Sequence, residues 1–106
     1  MRVLFDQGTP VPLRRALVPH EVETAFERGW STLKNGDLLD AAERAGFDVL
    51  LTTDLNLKYQ QNLTSRRVAV VVLSSTSWPR IQRALPTIVR VVAGASEGTY
   101  TEVPIP

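Results

Sequence analysis

The sequence has no cysteine and only one histidine, His20. These two absences exclude a disulfide scaffold, zinc knuckles, iron–sulfur ligation, thiol nucleophiles and any site that needs a pair of imidazoles. A reducing cytoplasm is the expected compartment. Long apolar runs are missing too. Nothing approaches the roughly 18 residues of a transmembrane helix, so a soluble protein with no membrane partner is expected. Nor is one sign of charge in large excess, since 12 Lys and Arg stand against 11 Asp and Glu for a formal +1. A protein that coats duplex nucleic acid would be far more basic.

What is present is 106 residues, 43% of them hydrophobic, the size of one domain spanning 1–106. A domain of that size buries about two-thirds of the surface its unfolded chain exposes. Lysine is scarce, and arginine supplies nearly all the cations, in pairs at Arg14-Arg15 and Arg66-Arg67 and in the spaced set Arg80, Arg83 and Arg90. The guanidinium fork suits phosphate and carboxylate alike. Each of these arginines is expected mainly on a solvated helix face.

Strand and helix patterns alternate along the chain. Val3-Leu4-Phe5 is a continuous apolar run, as in a central strand buried on both faces, and it is not a signal peptide. Thr9-Pro10 reads as a helix N-cap with proline at the first helical position, Leu13 and Leu17 stack one turn apart, and Pro19 ends the helix. From His20 the period becomes two, with Val22, Thr24 and Phe26 on one face and Glu21, Glu23 and Glu27 on the other, predicting an edge strand. Asn35 is placed to cap a helix whose inner stripe is Leu38, Leu39, Ala42 and Ala45 and whose stop is Gly46. Phe47 to Leu51 predicts a second buried strand, and a polar turn or helix over 55–63 leads to the strand Val68 to Leu73. Ser77 caps a helix with Ile81, Leu85, Ile88, Val89 and Val92 inside, and Pro86 predicts a kink or break in it. Thr99 to Ile105, with Pro104 and Pro106, suits an edge strand. The alternation implies a three-layer α/β/α sandwich around a mainly parallel five-stranded sheet.

In such sheets chemistry gathers beyond the carboxyl ends of the strands. Asp6 follows the first strand and Asp54 the third, and Asp37 lies in the first turn of the helix that feeds the third strand. Converging carboxylates repel unless a hard cation sits among them, and Mg²⁺ or Mn²⁺ takes carboxylate oxygens plus water. Asn56 offers a further oxygen. Such a site polarises a phosphoryl group and activates water. Each acid also has a plainer use: Asp6 as a loop cap, Asp37 as a complement to its helix dipole, Asp54 as an N-cap. Lys58 and Tyr59 are candidate substrate contacts, Tyr59 by stacking on a base, and Ser74 a candidate phosphate contact. Solvation and helix capping are the competing uses of these three. His20 is expected to hydrogen-bond at a strand start.

Val-Leu-Phe-Asp at 3–6, His20-Glu21-Val22, Asn35-Gly36-Asp37-Leu38-Leu39 and Leu51-Thr52-Thr53-Asp54-Leu55-Asn56-Leu57 together resemble, in order, the small PIN-like proteins over the first two-thirds of the chain. The resemblance implies a PIN-like fold and a Mg²⁺-dependent endoribonuclease, often the toxin of a toxin–antitoxin pair. Its metal carboxylates would be Asp6, Asp37 and Asp54. Implied partners are single-stranded or structured RNA, a cognate antitoxin protein and a second copy of the chain. The sequence departs from the family where Asp6-Gln7-Gly8 replaces Asp-Glu-Asn and where Asn56 replaces a second aspartate. These departures weaken a second metal position and motivate the alternative, a non-catalytic PIN-like module that binds protein or RNA. A phosphoacceptor receiver would use Asp6, Asp54 and Ser74, but Gln7 breaks the acidic pair it needs and no lysine follows late in the chain.

Overall fold

A computed structural model describes residues 1–57 and 62–106. Five strands, β1 (Arg2–Phe5), β2 (Glu21–Thr24), β3 (Val49–Thr52), β4 (Ala69–Leu73) and β5 (Tyr100–Val103), form one sheet in the order β2-β1-β3-β4-β5. Every neighbouring pair is parallel, so the sheet is parallel throughout and not merely in the main. The central strands β1, β3 and β4 are buried on both faces, which is why they read as continuous apolar runs.

Alternate residues feed two cores. Val3, Phe5, Val49, Leu51, Val71 and Leu73 face a layer made of the 3-10 helix Val11–Leu17, α2 (Trp78–Arg83) and α3 (Leu85–Ala93). Leu4, Leu50, Val70 and Val72 face α1 (Asn35–Arg44) and Leu57 and Leu63 beyond β3. The three-layer α/β sandwich is therefore observed. Among the described residues no helix is long and apolar enough to cross a membrane.

Local chemistry explains where element boundaries differ from expectation. The first helix is 3-10, with Pro10 at its N-cap and Pro12 in its opening turn, where proline costs no intrahelical bond. Thr9 does not cap it, since its hydroxyl is turned to Asp6 and Leu51. β2 stops at Thr24, so Phe26 leaves the period-two face and stands in solvent. Asn35 does not cap α1 either; it starts the helix at φ 48° behind Lys34.

Other signals are realised. Ser77 Oγ accepts the backbone N–H of Arg80, and the Pro86 break falls at Ala84, between α2 and α3. Gly46 adopts φ 80° after α1, the left-handed stop that glycine reaches without strain. The segment expected over 55–63 falls partly on residues 58–61, outside the described residues.

Candidate active site at the carboxyl edge of the sheet

In a sheet of order 2-1-3-4-5 the chain runs outward on either side of the β1–β3 boundary, and the crevice above that boundary is where ligands of doubly wound proteins bind. A cleft of about 230 Å³ opens there. Asp6, one residue past β1, and Asp54, two past β3, both line it, and Leu38, Leu50 and Leu57 form an apolar floor. Lys34, Gln7, Ser31 and Asn35 complete the polar rim.

Two threonine hydroxyls orient the Asp6 carboxylate. Thr9 Oγ1 lies 2.7 Å from Asp6 Oδ1 and 2.9 Å from the Leu51 carbonyl, its single proton shared between the two acceptors. Thr52 Oγ1 donates to Asp6 Oδ2 and accepts the backbone N–H of Asp54 at 3.0 Å. One hydroxyl thus ties the two acid-bearing strand ends together. Thr9 and Thr52 are 4% and 2% exposed, so these bonds are shielded from competing water. The loops after β1 and β3 also touch: a Cβ on Gly8 would stand 2.4 Å from Thr53 Oγ1. A larger residue there would require the Thr53 hydroxyl to turn aside.

Asp54 Oδ1 accepts the backbone N–H of Asn56 at 2.9 Å, the turn-capping use foreseen as its plainer role. Among the described residues Asp6 and Asp54 are bonded by hydroxyl and backbone donors, with no cation within ion-pair distance of either.

Among the described residues, the remaining candidates are not on the cleft lining. Asp37 is exposed in the first turn of α1 and is not on the cleft lining. Asn56 is exposed and likewise outside the lining. Ser74 is engaged with the chain end: its Oγ accepts the Ile105 N–H at 2.7 Å, which ties the tail after β5 to the end of β4. Lys58 and Tyr59 lie outside the described residues. His20 Nδ1 meets the Met1 amino group at 3.0 Å, the structural hydrogen bond expected of it. Thr9, Thr52 and Lys34 were not foreseen as site residues. The available signal was Thr52, a polar residue closing an otherwise apolar strand two positions before an acid.

No family model, curated protein or solved structure matches this chain. The chemistry of the cleft has to follow from its own residues. Among the described residues no group of three or more His, Asp or Glu side chains is gathered closely enough to hold a metal ion. Asp6 and Asp54 alone nevertheless make an all-oxygen set that suits Mg²⁺, which is commonly held by one or two carboxylates with water and substrate phosphate in the other positions.

The arginines serve the fold more than a ligand. Arg66 Nη1 bonds Asp40 and, at 3.0 Å, Glu43, and Glu43 also accepts the Arg67 backbone N–H at 3.1 Å. Burial pushes the Glu43 carboxyl up, and the Arg67 N–H with the Arg66 guanidinium more than reverses this, holding it below its ordinary value. Arg28 bonds Glu23 at 3.0 and 3.1 Å and Arg2 bonds it at 3.2 Å, which lowers the Glu23 carboxyl against a smaller effect of burial. Arg2 and Arg28 also stack over Phe47, at 4.4 and 5.1 Å from its centroid.

Proposed function

We propose that this protein is a Mg²⁺- or Mn²⁺-dependent endoribonuclease of the PIN-like type, acting in the cytoplasm as the toxin of a toxin–antitoxin pair. The observation that carries the reading is the shared cleft: Asp6 and Asp54 rise from adjacent parallel strands at the β1–β3 switch point and line the same crevice. A bound divalent ion supplies Lewis-acid polarisation of a phosphoryl oxygen and a water of lowered pKa. Asp6 and Asp54 would hold that ion. The Thr52 hydroxyl holds the two strand ends in fixed relation, which matters because in-line attack tolerates little misplacement. Lys34 on the rim offers a positive charge to a phosphate. RNA is the substrate class carried by the resemblance at residues 3–6, 35–39 and 51–57; an antitoxin and a second copy of the chain are its implied partners.

The deciding experiment incubates wild type and Asp6→Asn with a single-stranded RNA oligonucleotide, with and without Mg²⁺. Wild type should cleave only with the ion, and Asp6→Asn should not cleave. Equal cleavage by both would indicate a contaminating nuclease and remove the proposal. Mn²⁺ should also raise the melting temperature of wild type more than that of Asp54→Asn, because a ligand that binds only the folded state stabilises it. One observation favours the alternative, a non-catalytic binding module: Asp37 stands outside the cleft lining, so a third carboxylate is not supplied there. RNA binding without cleavage by wild type would select that alternative.

A further inference from the structure

On the other side of Asp6 lies a second groove, about 470 Å³, lined by Thr9, Val11, Arg14 and Phe26 among others. Asp6 and Gln7 line both this groove and the Asp6–Asp54 cleft, so the two are continuous across one carboxylate. Phe26 is 76% exposed, the most exposed large apolar side chain among the described residues.

A scattered surface phenylalanine would need no explanation, but this one stands on a turn whose backbone is held and beside the candidate cleft. The Glu27 N–H donates to Thr24 Oγ1 at 3.0 Å, and the Thr24 N–H donates to Glu27 Oε1 at 2.9 Å. Arg14 of the 3-10 helix bonds the same Glu27 oxygen. Phe26 therefore sits in a turn pinned by reciprocal bonds and by an ion pair, presenting its ring outward.

We infer that Phe26 is a stacking platform for a nucleobase of single-stranded RNA, held in the groove beside Asp6 while the adjoining phosphate enters the Asp6–Asp54 cleft. This inference rests on the nuclease reading for the identity of its ligand. Groove chemistry favours a base over a phosphate: Arg14 is bonded to Glu27 and Asp6 would repel a phosphate, which leaves the apolar ring and Val11 to meet a neutral flat surface. Every base has such a face, so stacking tolerates sequence, and a base paired within a duplex is not available to it.

The test is fluorescence anisotropy with a labelled single-stranded oligoribonucleotide and a duplex of the same sequence. It is run in Ca²⁺, which accepts the same oxygen donors with looser geometry than Mg²⁺. Wild type should prefer the single strand. Phe26→Ala should weaken single-strand binding about tenfold, the effect of losing one stacked base, and leave duplex binding unchanged. Phe26→Trp should restore it. Val18→Ala, at a residue 73% exposed outside the groove, should bind as wild type. Wild-type affinity in Phe26→Ala, failure of Phe26→Trp to restore binding, or no single-strand binding by wild type would each overturn the inference. Self-association of wild type that Phe26→Ala abolishes, with no RNA binding, would overturn it in favour of a protein contact. Cleavage in Mg²⁺ separates the two claims. Phe26-dependent binding without cleavage leaves the platform standing and removes the nuclease, and cleavage with an unchanged KM in Phe26→Ala does the reverse.

Discussion

Glu43 and Asp6 both lie against the same sheet, yet their partners differ in kind. Glu43, 14% exposed, is held by the Arg66 guanidinium and the Arg67 N–H, and Glu23 by Arg28 and Arg2. Asp6 is held by the hydroxyls of Thr9 and Thr52, and Asp54 by the N–H of Asn56. The first pair of acids spends its charge inside the molecule. The second is positioned by neutral donors, which fix the oxygens without cancelling the charge, and a cation arriving from solvent finds that charge available. A carboxylate paired with arginine has its charge offset within the molecule, whereas one bonded only to hydroxyls keeps it.

The largest expected effect on this contrast is catalytic. Asp6→Asn keeps the size of the side chain and one acceptor oxygen for the two threonine hydroxyls, and removes its charge. Metal-dependent cleavage of single-stranded RNA should fall by at least about 100-fold, measured as initial rate, with the circular dichroism spectrum unchanged. Without metal its melting temperature should match or exceed that of wild type, since repulsion towards Asp54 is relieved.

Glu43→Ala should act on stability alone. It removes a carboxylate bonded to Arg66, whose side chain is 19% exposed, and takes the acceptor from the Arg67 N–H. A loss of about 2 kcal/mol is expected, a fall in melting temperature of roughly 10 °C for a domain of this size. A shift as small as that of a surface ion pair would break the comparison.

A smaller effect is expected from Thr52→Val, which keeps the shape and removes the hydroxyl shared by Asp6 and Asp54. It should cost about 1 kcal/mol in chemical denaturation. It should also shrink the thermal shift produced by Mn²⁺, because the two acids lose their common tether. An unchanged shift would show that the tether is irrelevant to the ion.

The finest distinction is in acid. The folded-state pKa values of Glu43 and Glu23 lie below their ordinary 4.5. Their contribution is therefore complete above that value and is lost as the pH falls through the lowered folded values, since the unfolded chain then binds more protons. Glu43→Gln should accordingly lose less stability than wild type between about pH 5 and pH 3 in parallel urea titrations. Equal slopes would show that Glu43 is not held as described.

Much of the architecture was legible because burial on both sheet faces leaves unbroken apolar runs, as in Val3 to Phe5 and Val68 to Leu73, and because proline acts locally, as at Pro86. Phe26 and Thr9 misled for one reason. A period of two does not announce where a strand ends, and an N-cap pattern does not announce a nearby carboxylate that competes for the hydroxyl.

By itself, then, the sequence determined the alternation of strand and helix, the buried strands and the positions of Asp6 and Asp54 at strand ends. Those follow from interactions within a few residues and from hydrophobic periodicity. Tertiary structure alone decided that β1 and β3 are neighbours, that Thr52 bridges their two acids, that Asp37 is not on the lining of their cleft and that Arg28, Arg14 and Arg66 are turned to Glu23, Glu27 and Glu43. Each of those facts depends on the direction of a side chain relative to one far away in the chain, and that direction is set only when the layers pack.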